Sequence, residues 1–75
     1  MRKRDPMLVS LGLNIRRHRE AQDLTQEELG ERAGIDQTYI SGIERGIRNP
    51  GIKSVARVAK ALGLTTSELC KGVNA

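Results

Sequence analysis

The sequence is poor in aromatic residues and in cysteine. Tyr39 is its only aromatic residue and Cys70 its only cysteine. One cysteine cannot form an intrachain disulfide, and it excludes a metal site built from several thiolates. A core must instead be assembled from Leu, Ile, Val and Ala, which favour close packing of helices. The composition therefore predicts an all-α bundle.

Long apolar runs are also missing. The apolar stretch at residues 7–13 is short and is followed by basic side chains where a signal peptide would have a cleavage site. No segment approaches the roughly 20 apolar residues that cross a bilayer. The 75 residues leave room for one domain, so we expect no separate catalytic or ligand-sensing domain. These features predict a cytoplasmic protein with no membrane partner and no small-molecule effector.

The sequence carries none of the residue constellations that support catalysis. It shows no paired carboxylates, no Ser or Cys nucleophile with a plausible base, and no phosphate-binding glycine loop. His18 has no second histidine or acidic cluster to complete a metal site. We therefore predict that the protein is not an enzyme and uses no cofactor or metal.

Basic charge, by contrast, is in excess. The formal net charge is +4 at pH 7, which favours a polyanionic partner such as nucleic acid or an anionic membrane surface. Much of this charge is concentrated in one stretch that contains no acidic residue: Arg45, Arg48, Lys53, Arg57 and Lys60.

Five segments have helical spacing of apolar residues. The predicted starts are Asp5-Pro6, the capping boxes Thr25/Glu28 and Thr65/Glu68, the cap Asp36, and the end of the loop at 47–51. The predicted stripe of the fourth helix comprises Ile52, Val55, Val58, Ala59 and Leu62. We assign residues 1–5 to a flexible basic arm and residues 6–75 to a single compact domain.

Residues 26–45 have the spacing of two helices that cross through a tight turn. Gly30 permits close approach and Gly34 takes the turn, although an ordinary helical hairpin is the alternative. If Ile40 and Ile43 of the second helix are buried, its opposite face is polar but nearly uncharged, and it comprises Gln37, Thr38, Ser41, Gly42 and Arg45. Such amides and hydroxyls suit the edges of DNA bases, and Gly42 would allow close approach to the groove. A merely solvated face would more often carry Glu and Lys.

The run TQEELGERAGIDQTYISGIERGIRNP, with AKALGL after it, resembles the Cro/repressor helix-turn-helix family. The part QTYISGIERGIRNP is similar to the controller proteins of restriction-modification systems. The resemblance implies a lambda-repressor-like fold whose third helix enters the major groove of DNA. It also implies that Gln26 contacts a phosphate and that Arg19 and Glu44 form a structural ion pair.

Resemblance to controllers also implies several DNA contacts. Gln37, Thr38 and Tyr39 are implied as contacts at the start of the third helix, and Arg48 and Asn49 as contacts from the loop after it. Gln37 stands where controllers carry Arg, so the operator is expected to differ at that base pair. We predict base contacts by Gln37, Thr38, Tyr39, Ser41 and Arg48, and phosphate contacts by Gln26, Arg45, Asn49 and Lys53.

Some residues keep more than one interpretation. Tyr39 is either a phenol facing DNA or a core residue. His18 is a satisfied, partly buried histidine, a phosphate contact or a pH-sensitive element. Cys70 is a small apolar residue near a dimer interface or a redox switch. The basic arm either contacts DNA or is a solvated terminus.

The predicted function is a transcriptional regulator. It would bind a pseudo-palindromic operator in double-stranded DNA as a homodimer, as a restriction-modification controller acting on its own promoter. The alternatives are a phage-type repressor and an antitoxin whose main partner is a toxin protein. A dimer interface is predicted at the end of the fourth helix and in the fifth, through Leu64, Leu69 and Val73.

Overall fold

A computed structural model describes residues 4–74. Five helices follow one another, and no strand occurs within these residues: α1 Pro6–Ala21, α2 Gln26–Ala33, α3 Gln37–Glu44, α4 Ile52–Ala61 and α5 Thr66–Leu69. The predicted all-α five-helix fold is confirmed. Of the predicted basic arm, residues 1–3 lie outside the described residues, and Asp5 is the N-cap of α1.

The helix starts follow from local side-chain chemistry. The Met7 N–H donates to Asp5 Oδ1 at 2.8 Å, and the Thr38 N–H donates to Asp36 Oδ1 at 2.7 Å. Both predicted capping boxes are present, at the starts of α2 and α5. Each cap gives a partner to a backbone N–H that the helix itself cannot pair. These four starts are therefore fixed by residues two or three positions apart.

One core joins all five helices. α3 packs against α1 and α2, α4 packs against α2, and α5 contacts both α4 and α1. The largest fully buried side chains are Ile15, Leu29, Ile40, Ile43, Val58 and Leu69.

Ile52 does not belong to the buried stripe of α4, and that prediction is wrong. Its side chain is 71% exposed, whereas Val55 and Val58 are buried. Ile52 is the first residue of α4. Because helical side chains lean toward the N-terminus, a side chain at the first position points past the packed part of the helix.

The turn between α2 and α3 depends on two glycines. Gly34 is left-handed, with φ 70° and ψ 35°, a conformation that costs other residues energy. A Cβ on Gly30 would lie 2.5 Å from the carbonyl oxygen of Ile35. Both positions thus allow α3 to begin directly against α2.

Asn14 ties α1 to the end of the chain, a role that the sequence pattern did not indicate. Its side-chain amide donates to the carbonyl oxygens of Leu69 and Lys71, each at 2.9 Å. Its Oδ1 accepts from Arg17 Nη2 at 3.0 Å. Every polar atom of this buried side chain therefore has a partner, which is what its burial requires.

The capping box of α2 predicts a specific acid sensitivity. The Thr25 N–H donates to the Glu28 carboxylate at 2.9 Å, and this bond, followed by the Thr25 side chain, lowers the pKa of Glu28. A carboxyl group whose pKa is lowered by folding stabilises the fold above its ordinary pKa of 4.5. That contribution is lost as the pH falls through the lowered value. Glu28→Gln should therefore flatten the acid limb of stability against pH, measured by thermal unfolding from about pH 6 to about pH 2.

Glu31→Gln is the matched control for this measurement. It removes the same charge from the same helix but leaves the capping box intact. If the two variants flatten the acid limb equally, the effect belongs to net charge and not to the bond with Thr25.

Candidate nucleic-acid interface

The first turn of α3 carries the residues predicted to contact bases. Gln37 and Thr38 are exposed, and Ser41, one turn later, is half-buried. The bond from Thr38 N–H to Asp36 fixes the backbone beneath them. The buried side of the same helix is formed by Ile40 and Ile43. This helix therefore presents amide and hydroxyl groups on a rigid backbone, a suitable arrangement for base edges.

Tyr39 packs against the core, which supports one of the two interpretations that its sequence left open; its contact with DNA stays a prediction. The residue is half-buried. Its ring is also covered by Arg48, whose guanidinium carbon lies 5.9 Å from the ring centroid. This distance is within the range of a cation–π interaction.

Gly42 is buried, and the expectation that it opens α3 to close approach by the groove is wrong. The space beside it is filled by the Arg48 side chain, because a Cβ on Gly42 would overlap Arg48 Cγ. The missing side chain therefore accommodates a residue of the same chain. Arg48 itself is exposed.

The residues predicted to contact phosphates lie in α2, at the end of α3, in the loop after it and in α4. Arg45, Asn49 and Lys53 are exposed, and Gln26 is half-buried. Gln26 is the first residue of α2, and Lys53 is the second residue of α4. Unpaired N–H groups and the helix dipole make such first turns favourable for anions.

The Arg19–Glu44 pair links three helices. Arg19 Nε lies 2.7 Å from Glu44 Oε2, and Arg19 Nη2 donates to Oε1 at 3.0 Å. Arg19 Nη1 also donates to the carbonyl oxygen of Leu24. Gln26 Nε2 donates to Glu44 Oε1 at 3.1 Å, so the predicted phosphate contact is held by the same carboxylate. The hydrogen bonds that Arg19 donates to the Glu44 carboxylate, more than any other contact, raise the pKa of Arg19.

The predicted dimer residues differ in accessibility. Leu64 and Val73 are half-buried and pack against the core. Leu69 is 0% exposed, so it is not an apolar group left uncovered by the protomer, and that part of the prediction is wrong. Its side chain packs in the core, and its carbonyl oxygen accepts the Asn14 amide. The structure also exposes four large apolar side chains that the sequence analysis did not propose for an interface: Met7, Leu13, Ile47 and Ile52.

The two remaining singular side chains lie near α5. Cys70 is a free thiol, half-buried against the core. His18 is half-buried, and its charge is a minor cause of the lowered pKa of Glu68, after the backbone and side chain of Thr65. Within residues 4–74, no His, Cys, Asp and Glu side chains gather in a group suited to a metal. None of the described helices is long and apolar enough to cross a membrane.

Comparison with known proteins places this geometry in a family. The family described as helix-turn-helix matches residues 15–69. The HTH-type transcriptional regulator y4dJ of Sinorhizobium fredii is 44% identical over 59 residues, which are 79% of this chain and 77% of the relative. Control protein C.SmaI of Serratia marcescens is 37% identical over 59 residues, which are 79% of this chain and 70% of C.SmaI.

A solved structure gives the same result. The restriction-modification controller protein C.AhdI of Aeromonas hydrophila superposes with a TM-score of 0.81 and 39% identity, over 83% of this chain and 94% of C.AhdI. Other relatives are longer, and this chain spans 26% of one and 41% of another. The relatives named here are regulators or control proteins and not enzymes.

Proposed function

We propose that this chain, which belongs to the helix-turn-helix family, binds a pseudo-palindromic DNA operator as a homodimer. It would thereby control transcription from its own promoter. The observation that carries this proposal is the first turn of α3, where Gln37 and Thr38 are exposed on a capped helix. Similarity to C.SmaI and C.AhdI supports a role as a restriction-modification controller.

Sequence recognition is assigned to side chains of α3. The Gln37 amide offers a donor and an acceptor, which match the N7 and N6 groups of adenine in the major groove. The Thr38 hydroxyl and methyl groups suit a base edge and the thymine methyl. Gln37 cannot supply the two parallel donors with which Arg recognises guanine. The operator should therefore carry adenine rather than guanine opposite Gln37.

Position on the duplex is assigned to the surrounding residues. The first turns of α2 and α4, with Gln26 and Lys53, would hold phosphates, assisted by Arg45 and Asn49. Phosphate contacts fix the register of a protein on DNA but carry no sequence information. Glu44 holds Gln26 at 3.1 Å, so this contact is oriented before DNA arrives.

The two groups of contacts predict different binding defects. Gln37→Ala and Thr38→Ala should each weaken operator binding by about 1–3 kcal/mol while hardly changing binding to random DNA. Lys53→Ala should weaken binding to the operator and to random DNA alike, and it should reduce the slope of log affinity against log salt concentration by about one. The operator is first located by footprinting the region upstream of the gene, and affinities are then measured at several salt concentrations.

A uniform loss on both DNAs from the α3 variants would remove Gln37 and Thr38 from base recognition. The absence of a protected region would contradict autoregulation.

The neighbouring gene separates the two candidate functions. A restriction endonuclease or methyltransferase gene beside this one supports a controller, whereas a toxin gene supports an antitoxin.

The proposed dimer surface includes Leu64 and Val73, and Ile52 provides the test of its location. Val73→Asp should raise the dimer dissociation constant by about tenfold or more, because a carboxylate would be placed against apolar groups. Ile52→Asp introduces the same group at a more exposed apolar residue. Sedimentation equilibrium measures both variants, and circular dichroism verifies that each is folded. If only Ile52→Asp dissociates the dimer, the interface lies at the start of α4.

A further inference from the structure

We propose that Gly42 is a positioning residue for Arg48: its missing side chain forms a seat across which Arg48 reaches from the loop toward the DNA-facing end of α3. This inference rests on the proposed function, which it deepens. It assigns a role to a buried glycine that the proposed DNA contacts leave unexplained.

The backbone at Gly42 does not itself require glycine. Gly42 lies within α3 and is not among the described glycines with positive φ. Alanine fits this conformation and is the better helix former. A helical glycine away from a turn therefore needs a packing reason.

That packing reason is Arg48. A Cβ on Gly42 would overlap Arg48 Cγ and would lie 3.4 Å from Nε and 3.5 Å from Cδ. The Gly42 carbonyl oxygen also accepts the N–H groups of Ile47 and Arg48, at 3.0 Å and 3.2 Å. The same residue thus anchors the loop backbone and makes space for the Arg48 side chain.

The seat sets the direction in which Arg48 extends. Tyr39 and Gly42 are three positions apart and therefore lie on one face of α3. Arg48 crosses that face at Gly42 and ends over the Tyr39 ring, 5.9 Å from its centroid. The guanidinium is carried about 4.5 Å back along the helix, toward Gln37 and Thr38. An arginine held in this way loses less conformational freedom on binding than a free loop side chain does.

The free protein provides the first test, by proton NMR. Tyr39 is the only Phe, Tyr or Trp residue of the chain and its ring lies beneath Arg48, so an upfield ring-current shift of the Arg48 methylene protons is assigned to this ring, and its loss in Tyr39→Leu verifies the assignment. We expect this shift in the parent protein and its loss in Gly42→Ala. If the parent shows no shift, the inference is overturned without any experiment on DNA.

DNA binding provides the second test. Gly42→Ala should remain folded, because alanine favours the helix, yet it should lose about tenfold in operator affinity, and the same loss is expected of Arg48→Ala. The double variant should bind no more weakly than Arg48→Ala alone, because each of the two substitutions removes the same contact between Arg48 and DNA. Tyr39→Leu, which retains an apolar side chain at the core, should reproduce the loss of the NMR shift independently of Gly42.

Two further results would overturn the inference. Undiminished operator affinity in Gly42→Ala, with the NMR shift lost, would show that the seat does not serve binding. Additive losses in the double variant would show that the new methyl group acts on DNA directly. Failure of the proposed function is distinguishable, because the parent protein would then bind no operator while its NMR shift persisted.

Discussion

Glu44→Ala is expected to lower the free energy of unfolding by about 3–5 kcal/mol, the cost of leaving one partner of a buried ion pair alone. The Glu44 side chain is 2% exposed and that of Arg19 is 12% exposed. Without Glu44, the Arg19 guanidinium keeps only its bond to the Leu24 carbonyl oxygen among the bonds described above. Gln26 loses its anchor as well. Urea denaturation followed by circular dichroism measures the loss.

An exposed ion pair in α1, the helix that carries Arg19, provides the control. Arg16 Nε lies 3.5 Å from Glu20 Oε2, with side chains 59% and 56% exposed. Arg16→Ala should cost under about 1 kcal/mol, since solvent screens such pairs. Equal losses in Arg16→Ala and Glu44→Ala would contradict a buried network.

The pH dependence of this network has a definite sign. The bond to Glu44 raises the pKa of Arg19 above the ordinary value of an arginine. A base with a raised pKa stabilises the fold fully below the ordinary value and loses this effect only as the pH rises past it. The protonation of Arg19 therefore contributes a constant amount across neutral pH, and this contribution is lost only in strongly alkaline solution.

Features governed by neighbours in sequence could be predicted without the structure. The caps at Asp5, Thr25, Asp36 and Thr65 each involve a group two or three residues away, so residue type and spacing are sufficient. The same holds for the turn at Gly34. The order and approximate limits of the helices follow from these signals together with apolar periodicity.

Features governed by distant contacts could not be predicted in this way. Asn14 bonds to a carbonyl 55 residues away, and nothing in its local pattern distinguishes it from a solvated asparagine. Gly42 is predicted from the local sequence to be exposed, because nothing in that sequence indicates that Arg48 packs against it. Ile52 matches the apolar period, but its place at the end of α4 exposes it. In each case the missing information is which segment lies opposite.

Leu69→Asp is expected to unfold the protein. Leu69 is 0% exposed and packs in the core, and its carbonyl oxygen accepts the Asn14 amide. A carboxylate at that position would be buried without a counter-charge, a cost of several kcal/mol. A domain of this size has only about 4–11 kcal/mol of stability in total, at about 0.05–0.15 kcal/mol per residue. Circular dichroism at 25 °C should therefore show loss of helix.

The same substitution at an exposed leucine isolates the effect of burial. Leu13 on α1 is 54% exposed, so Leu13→Asp should change stability by about 0.5 kcal/mol or less. Because Leu69→Asp removes the fold, its loss of dimer and of DNA binding would say nothing about an interface, and Val73→Asp is the informative variant. If the Leu69→Asp protein is folded and unfolds at the same temperature as the parent protein, Leu69 lies outside the core and is again a candidate for the dimer surface.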